Sequence, residues 1–141
     1  GRIINDAPSL LSRKLDNRSG VQVVFGAVHA GAVQNVIPDS GYVAGTIRVL
    51  DSVVWEQAPE AFERVVREIA APTGVEATVD YQRGVPPVDN AEHAISMLSS
   101  AAAKTLGPGA VVTTQQSMGG EDFSWYLREV PGAMAASVSD A

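Results

Sequence analysis

The sequence predicts an α+β fold in two pieces, and three observations point to it. β-branched and apolar residues dominate 21–29 and 42–50, with turn formers between them, the pattern of two paired strands. Phe62, Val65, Val66 and Ile69 then recur at the three-and-four spacing of an amphipathic helix. Finally, Pro86 and Pro87 interrupt both ladder pairing and helix, which sets a division at 1–86 and 87–141.

Each element follows from its residues. The run APSLLSRKL, 7–15, has helical character, and Asp16-Asn17-Arg18-Ser19-Gly20 is a turn-forming cluster in which Gly20 stops it. In 21–29, Val21, Val23 and Phe25 share one parity, so one face of this strand is expected to be buried. Pro38-Asp39-Ser40-Gly41 turns the chain into the strand 42–50, antiparallel to the first. Asp51 and Ser52 offer helix caps, and Pro59 suits the first turn of the helix that follows. Pro72 and Gly74 stop that helix. Along 75–82, Val75, Ala77, Val79 and Tyr81 alternate with Glu76, Thr78, Asp80 and Gln82, as in a half-exposed third strand. Beyond the proline break, HAISMLSSAAAKTLG is helical and ends at Gly107-Pro108-Gly109. AVVTT is a short apolar strand, EDFSWYLREV a helix with an acidic first turn, and PGAMAASV a last strand buried on both faces.

Composition excludes several functions. A net charge of -6 with ten scattered Lys and Arg argues against a nucleic-acid surface. The absence of cysteine removes disulfides, thiolate zinc clusters and a cysteine nucleophile. No apolar run approaches the ~20 residues of a membrane span, so a cytoplasmic protein without membrane contact is expected. His29 and His93 stand apart from any metal-binding spacing, and scattered carboxylates do not supply one.

Two features invite chemistry. Gly119 and Gly120 precede Glu121 and Asp122, where a permissive backbone would approach a ligand and free helix N–H groups would favour negative charge. A tight strand-to-helix turn with ordinary N-terminal acids explains the same residues. Arg48 interrupts the apolar strand GTIRVL; it is either a solvated outward side chain or a fork that grips a carboxylate bidentately. Asn35 precedes the turn at Pro38.

In their order along the chain, VHAGAVQNVIPDSGYVAGTIRVLD, YQRGVPPVDN and QSMGGEDFSWYLREVPGAM resemble the zinc-dependent aminoacylase and carboxypeptidase metallopeptidase family. The resemblance favours its branch of N-acyl-amino-acid and hippurate-type amidohydrolases. It implies that 1–86 is a ferredoxin-like lid and dimerisation domain, a two-layer antiparallel sheet with helices that lacks its first strand. It implies that 87–141 is an incomplete α/β segment of the catalytic domain. Two divalent metal ions, zinc or similar, belong to the full-length parent enzyme. The family's metal ligands lie in segments outside this sequence, so none is expected here and the piece is expected to be inactive alone. His29 does not match the family's lid histidine.

By the same resemblance Asn35 helps polarise the scissile carbonyl, Arg48 binds the substrate's terminal carboxylate, and Gly119, Gly120 and Glu121 line the pocket. The acids are expected to cap the helix and the aromatic residues behind them to anchor it in the core. The implied partners are a small acyl-amino-acid substrate and further copies of the chain, joined through the lid as a homodimer or larger homo-oligomer. A non-catalytic self-association module, pairing through an open strand edge, is the alternative.

Overall fold

The computed structural model describes residues 1–113 and 115–136. The chain divides into two compact units, one of residues Gly1–Arg83 and the other from Gly84 onward.

In the first unit, helix α1, Arg2–Lys14, starts well before the expected residue 7 and carries Pro8 inside it. Arg13 and Lys14 lie in its last turn, where cations complement the helix dipole. A 3-10 turn, Asn17–Ser19, ends at Gly20 in the left-handed region, φ 61 and ψ 46. Gly20 therefore closes this turn rather than the helix. Strands β1, Gln22–Ala30, and β2, Gly41–Arg48, form an antiparallel hairpin in which Gln22 faces Arg48, Val24 faces Thr46 and His29 faces Tyr42. The register slips between Phe25 and Ala27. Opposite Phe25, Gly45 lies so close to β1 that a Cβ there would press into the Val24 carbonyl.

Helix α2, Ser52–Ala70, is capped by the Asp51 carboxylate, which accepts from Val54 N at 2.9 Å. Pro59 thus sits inside α2 and not in its first turn, because the Asp51 cap starts the helix seven residues earlier than Pro59. Val54, Ala58, Ala61, Val65 and Ile69 form its buried stripe; of the four residues whose spacing predicts the helix, Val65 and Ile69 lie in that stripe and Phe62 packs half-buried against it. They pack with Ala7, Leu11 and Leu15, and Val21, Val23, Phe25, Ile47 and Val49 of the hairpin region close the layer. Full burial of Leu11 and Val65 stabilises the unit by about 1.5–3 kcal/mol each. Lys14 Nζ reaches Glu68 at 2.8 Å across the helix pair, a half-exposed bridge worth about 0–1 kcal/mol.

The expected third strand does not form. Ala77, Val79 and Tyr81 are half-buried and their neighbours exposed, but 75–82 has no ladder, and the sheet of the described residues holds β1 and β2 alone. At the end of this segment the Tyr81 ring packs on α2, 6.4 Å from that of Phe62. Arg83 is pinned beside it, with its guanidinium 4.6 Å from the Trp55 ring and ion-paired to Glu56. A strand requires a hydrogen-bonding neighbour as well as the right pattern.

In the second unit, α3, Glu92–Leu106, ends at Gly107 with φ 99, and α4 spans Phe123–Glu129. Asn90 joins distant segments: its Oδ1 accepts from Met134 N at 2.8 Å and its Nδ2 donates to Met134 O at 3.3 Å. Ala91 N adds a bond to Gly132 O at 2.8 Å. Neither expected strand is present among the described residues, since 110–113 and 131–136 make no ladder. Thr114 and the end of the last expected strand, 137–138, lie outside the described residues. Residues 131–136 are half-buried or exposed rather than buried on both faces.

Candidate functional site

The hairpin carries the candidate residues of the first unit. Since Val23, Phe25 and Ile47 turn toward the helices, strand alternation sends Gln22, Val24, Thr46 and Arg48 to the opposite face. All four are exposed. Arg48 closes β2 directly across from Gln22. The strand sets the face from which the Arg48 side chain departs, and its guanidinium is a planar fork of the kind that grips a carboxylate bidentately.

Asn35 lies in the connection 31–40 at the other end of the hairpin and is exposed. Residues of this connection, among them Val33, Val36 and Ile37, enclose an open depression against His29 and Tyr42. The His29 and Tyr42 rings stack there, with centroids 5.6 Å apart and planes inclined by 23°. From Gly41, where the connection ends, seven strand residues run to Arg48, about 23 Å at the rise of a β-strand. Asn35 and Arg48 therefore stand at opposite ends of one hairpin.

Gly119, Gly120 and Glu121 precede α4 in the second unit and are exposed. Neither glycine has a positive φ. Gly120 owes its lack of a side chain to Val85, since a Cβ would lie 2.7 Å from Val85 Cγ2. The Ser117 hydroxyl accepts from Gly119 N at 3.0 Å. The expected capping by the acids is corrected: Asp122 occupies the cap position without a side-chain hydrogen bond, and it is the Glu121 carbonyl that accepts from Ser124 N and Oγ, at 3.0 and 2.6 Å. Ser124 turns inward because its hydroxyl is satisfied locally. The aromatic anchorage is corrected too, with Phe123, Trp125 and Tyr126 exposed by 38%, 46% and 71%.

Among the described residues no three His, Asp or Glu side chains come together in a way that would hold a metal ion. No helix among them is long and apolar enough to cross a membrane. The cluster of Trp55, Glu56, Arg83 and Tyr81 escapes sequence reasoning, because its members are distant in the chain and follow no motif. Burial pushes the Tyr81 phenol above its ordinary value of 10.0, with Arg83 pulling the other way.

The model of peptidase family M20/M25/M40 matches residues 3–140. The chain belongs to this family. An N-acetylcysteine deacetylase of Bacillus subtilis is 36% identical over 132 residues, 94% of this chain and 34% of its own length. A second protein of that organism, N-acetyl-L-cysteine deacetylase, is 32% identical over 127 residues, 90% of this chain and 30% of its own. A Rhodococcus jostii protein provisionally named a glutamate–cysteine ligase is 36% identical over 133 residues, 94% of this chain and 17% of its own. The family M20 chain described here thus spans about a third or less of these relatives. Among solved structures, it is similar to the Bacillus subtilis YXEP protein, a dinuclear metal-binding peptidase of the same family. The TM-score is 0.71 and the identity 34%, over 89% of this chain and 34% of that one.

Proposed function

We propose that this chain is part of a metal-dependent amidohydrolase that cleaves the amide bond of N-acyl amino acids or small peptides. The match of residues 3–140 to family M20 carries the reading, and the deacetylase names of the similar Bacillus subtilis proteins favour acylated amino acids. Residues 1–86 serve as a lid and dimerisation domain, and 87–141 as part of the catalytic domain of a cytoplasmic enzyme. The parent enzyme uses two divalent metals, zinc or similar. The described residues assemble no donor set for them, so no step of the reaction through the metals is assigned to this chain, which is inactive alone.

Arg48 holds the substrate's carboxylate and Asn35 orients the scissile carbonyl, with Gly119, Gly120 and Glu121 lining the pocket. A small acyl amino acid is too short to bridge the ends of a hairpin about 23 Å long. Asn35 and Arg48 therefore serve one substrate from two copies of the chain, which favours a homodimer.

In the full-length enzyme, Arg48→Lys keeps the charge but loses the fork. A lost charge-assisted hydrogen bond costs about 1.5–3 kcal/mol, so kcat/KM toward N-acetyl amino acids should fall about ten- to a hundredfold. An unchanged value removes Arg48 from the site. Mixing inactive Asn35→Ala and Arg48→Ala enzymes should restore activity, because one site of the mixed dimer is intact; no restoration places both residues in one subunit's site.

A second reading, a self-association module, draws on the hairpin, whose two strands have no further ladder partners among the described residues. Light scattering that shows monomer alone at high concentration would exclude it.

A further inference from the structure

We infer that Val24, with Thr46 facing it, determines which amino-acid side chain the enzyme accepts. The inference rests on Arg48 as the carboxylate grip and adds the neighbour that the grip brings to the substrate.

Val24 and Thr46 form the cross-strand pair next to Gln22 and Arg48 on the hairpin face turned away from the helices. Val24 is 50% exposed although it is a β-branched apolar residue. Thr46 lies two residues from Arg48 along one strand, about 7 Å, and Val24 sits diagonally across. In an N-acyl α-amino acid the carboxylate and the side chain branch from the same carbon. A carboxylate held by Arg48 therefore leaves the side chain within reach of the adjacent pair.

Other residues of the face are too far or of the wrong chemistry. Tyr42 is six residues from Arg48 in the same strand, about 20 Å, so the His29–Tyr42 stack lies beyond a small substrate. Gln22 stands directly across from Arg48 and offers an amide to the carboxylate end. Val24 is left to meet the side chain, and its isopropyl group with the Thr46 methyl favours an aliphatic group over a charged one.

The specificity test compares kcat/KM for N-acetyl-L-leucine and N-acetyl-L-aspartate in the full-length enzyme. A contact of this size is worth about tenfold or more between substrates. Val24→Lys should shift the leucine-to-aspartate ratio at least tenfold toward aspartate, with thermal midpoint and circular dichroism unchanged. Val24→Thr, which keeps the branched shape and the strand, should shift it in the same direction by a few-fold. In the 141-residue chain without metal, N-acetyl-L-leucine should move the amide resonances of 22–24 and 46–48, and Val24→Lys should suppress that movement.

The two readings fail separately. Arg48→Lys weakening both substrates alike, while neither Val24 variant changes their ratio, overturns the inference and leaves the grip standing. Arg48→Lys without effect overturns the grip, and the inference with it. Resonance shifts confined to other segments also overturn the inference.

Discussion

The two units treat their apolar residues in opposite ways. In the first, Leu11, Val54, Ala58, Ala61, Val65 and Ile69 come together under a hairpin whose inward side chains close the layer. In the second, Pro86 and Ser124 are the buried positions among the described residues. Met97, Leu106, Tyr126 and Val130 there are exposed by 65% or more. A helix of amphipathic pattern becomes a core element when another layer covers its stripe. The first unit holds both layers, whereas α3 of the second buries no residue and α4 buries Ser124 alone.

The largest effect should follow from Leu11→Ala. Leu11 is wholly buried between α1 and α2, and such truncations cost about 2–5 kcal/mol. Denaturant unfolding of the first unit would measure the loss. A cost below about 1 kcal/mol would mean that the apparent core does not support the unit, and the contrast between the units would vanish.

A smaller effect is expected from Asn90→Ala in the second unit, where polar contacts take the place of a core. The variant loses both hydrogen bonds to Met134, about 1–2 kcal/mol at usual net values. Hydrogen exchange at 132–134 should accelerate while exchange in α2 stays constant. Simultaneous acceleration in α2 would show that the units are not energetically separate. Trp125→Ala should change little, within about 0.5 kcal/mol, since the side chain is nearly half exposed. A loss above about 2 kcal/mol would reveal a core around α4.

The same contrast explains which parts of the fold were legible in the sequence. The α2 stripe and the inward parity of Val21, Val23 and Phe25 report burial that the first unit satisfies within itself, so pattern and structure agree. The strands expected at 75–82, 110–114 and 131–138 carry strand-like composition without a neighbouring ladder among the described residues. Composition reports the environment a segment suits, and a ladder also needs a partner. At the candidate site, Arg48 was legible as a charge interrupting an apolar strand. Its separation from Asn35 follows from the same strand pairing, which leaves Asn35 in the connection and Arg48 near the far end of the second strand. The part played by Gly120 was hidden, since Val85, which it accommodates, lies 35 positions away in the chain.

The smallest effect tests how far the first unit depends on its polar corner as well as its core. Asp16 Oδ1 accepts from Arg18 N at 3.0 Å and from Arg18 Nε at 3.1 Å, while Oδ2 accepts from Arg18 Nη2 at 2.8 Å. These bonds hold its carboxyl at about 2, below its ordinary value of 3.8. A carboxyl lowered on folding stabilises the native state above its unfolded value, and that contribution is lost as pH falls through the native one. Stability of the first unit should therefore decline slightly from about pH 4 to pH 2. Asp16→Asn should remove that part of the decline, and salt should weaken it, because Arg18 is 91% exposed and the pair is open to screening. The carboxyl carbon resonance of Asp16 gives the direct reading. A midpoint near 2 leaves the corner as a built turn joining α1 to β1, whereas a midpoint near 4 means that Arg18 spends its time in solvent and the core alone orders the unit.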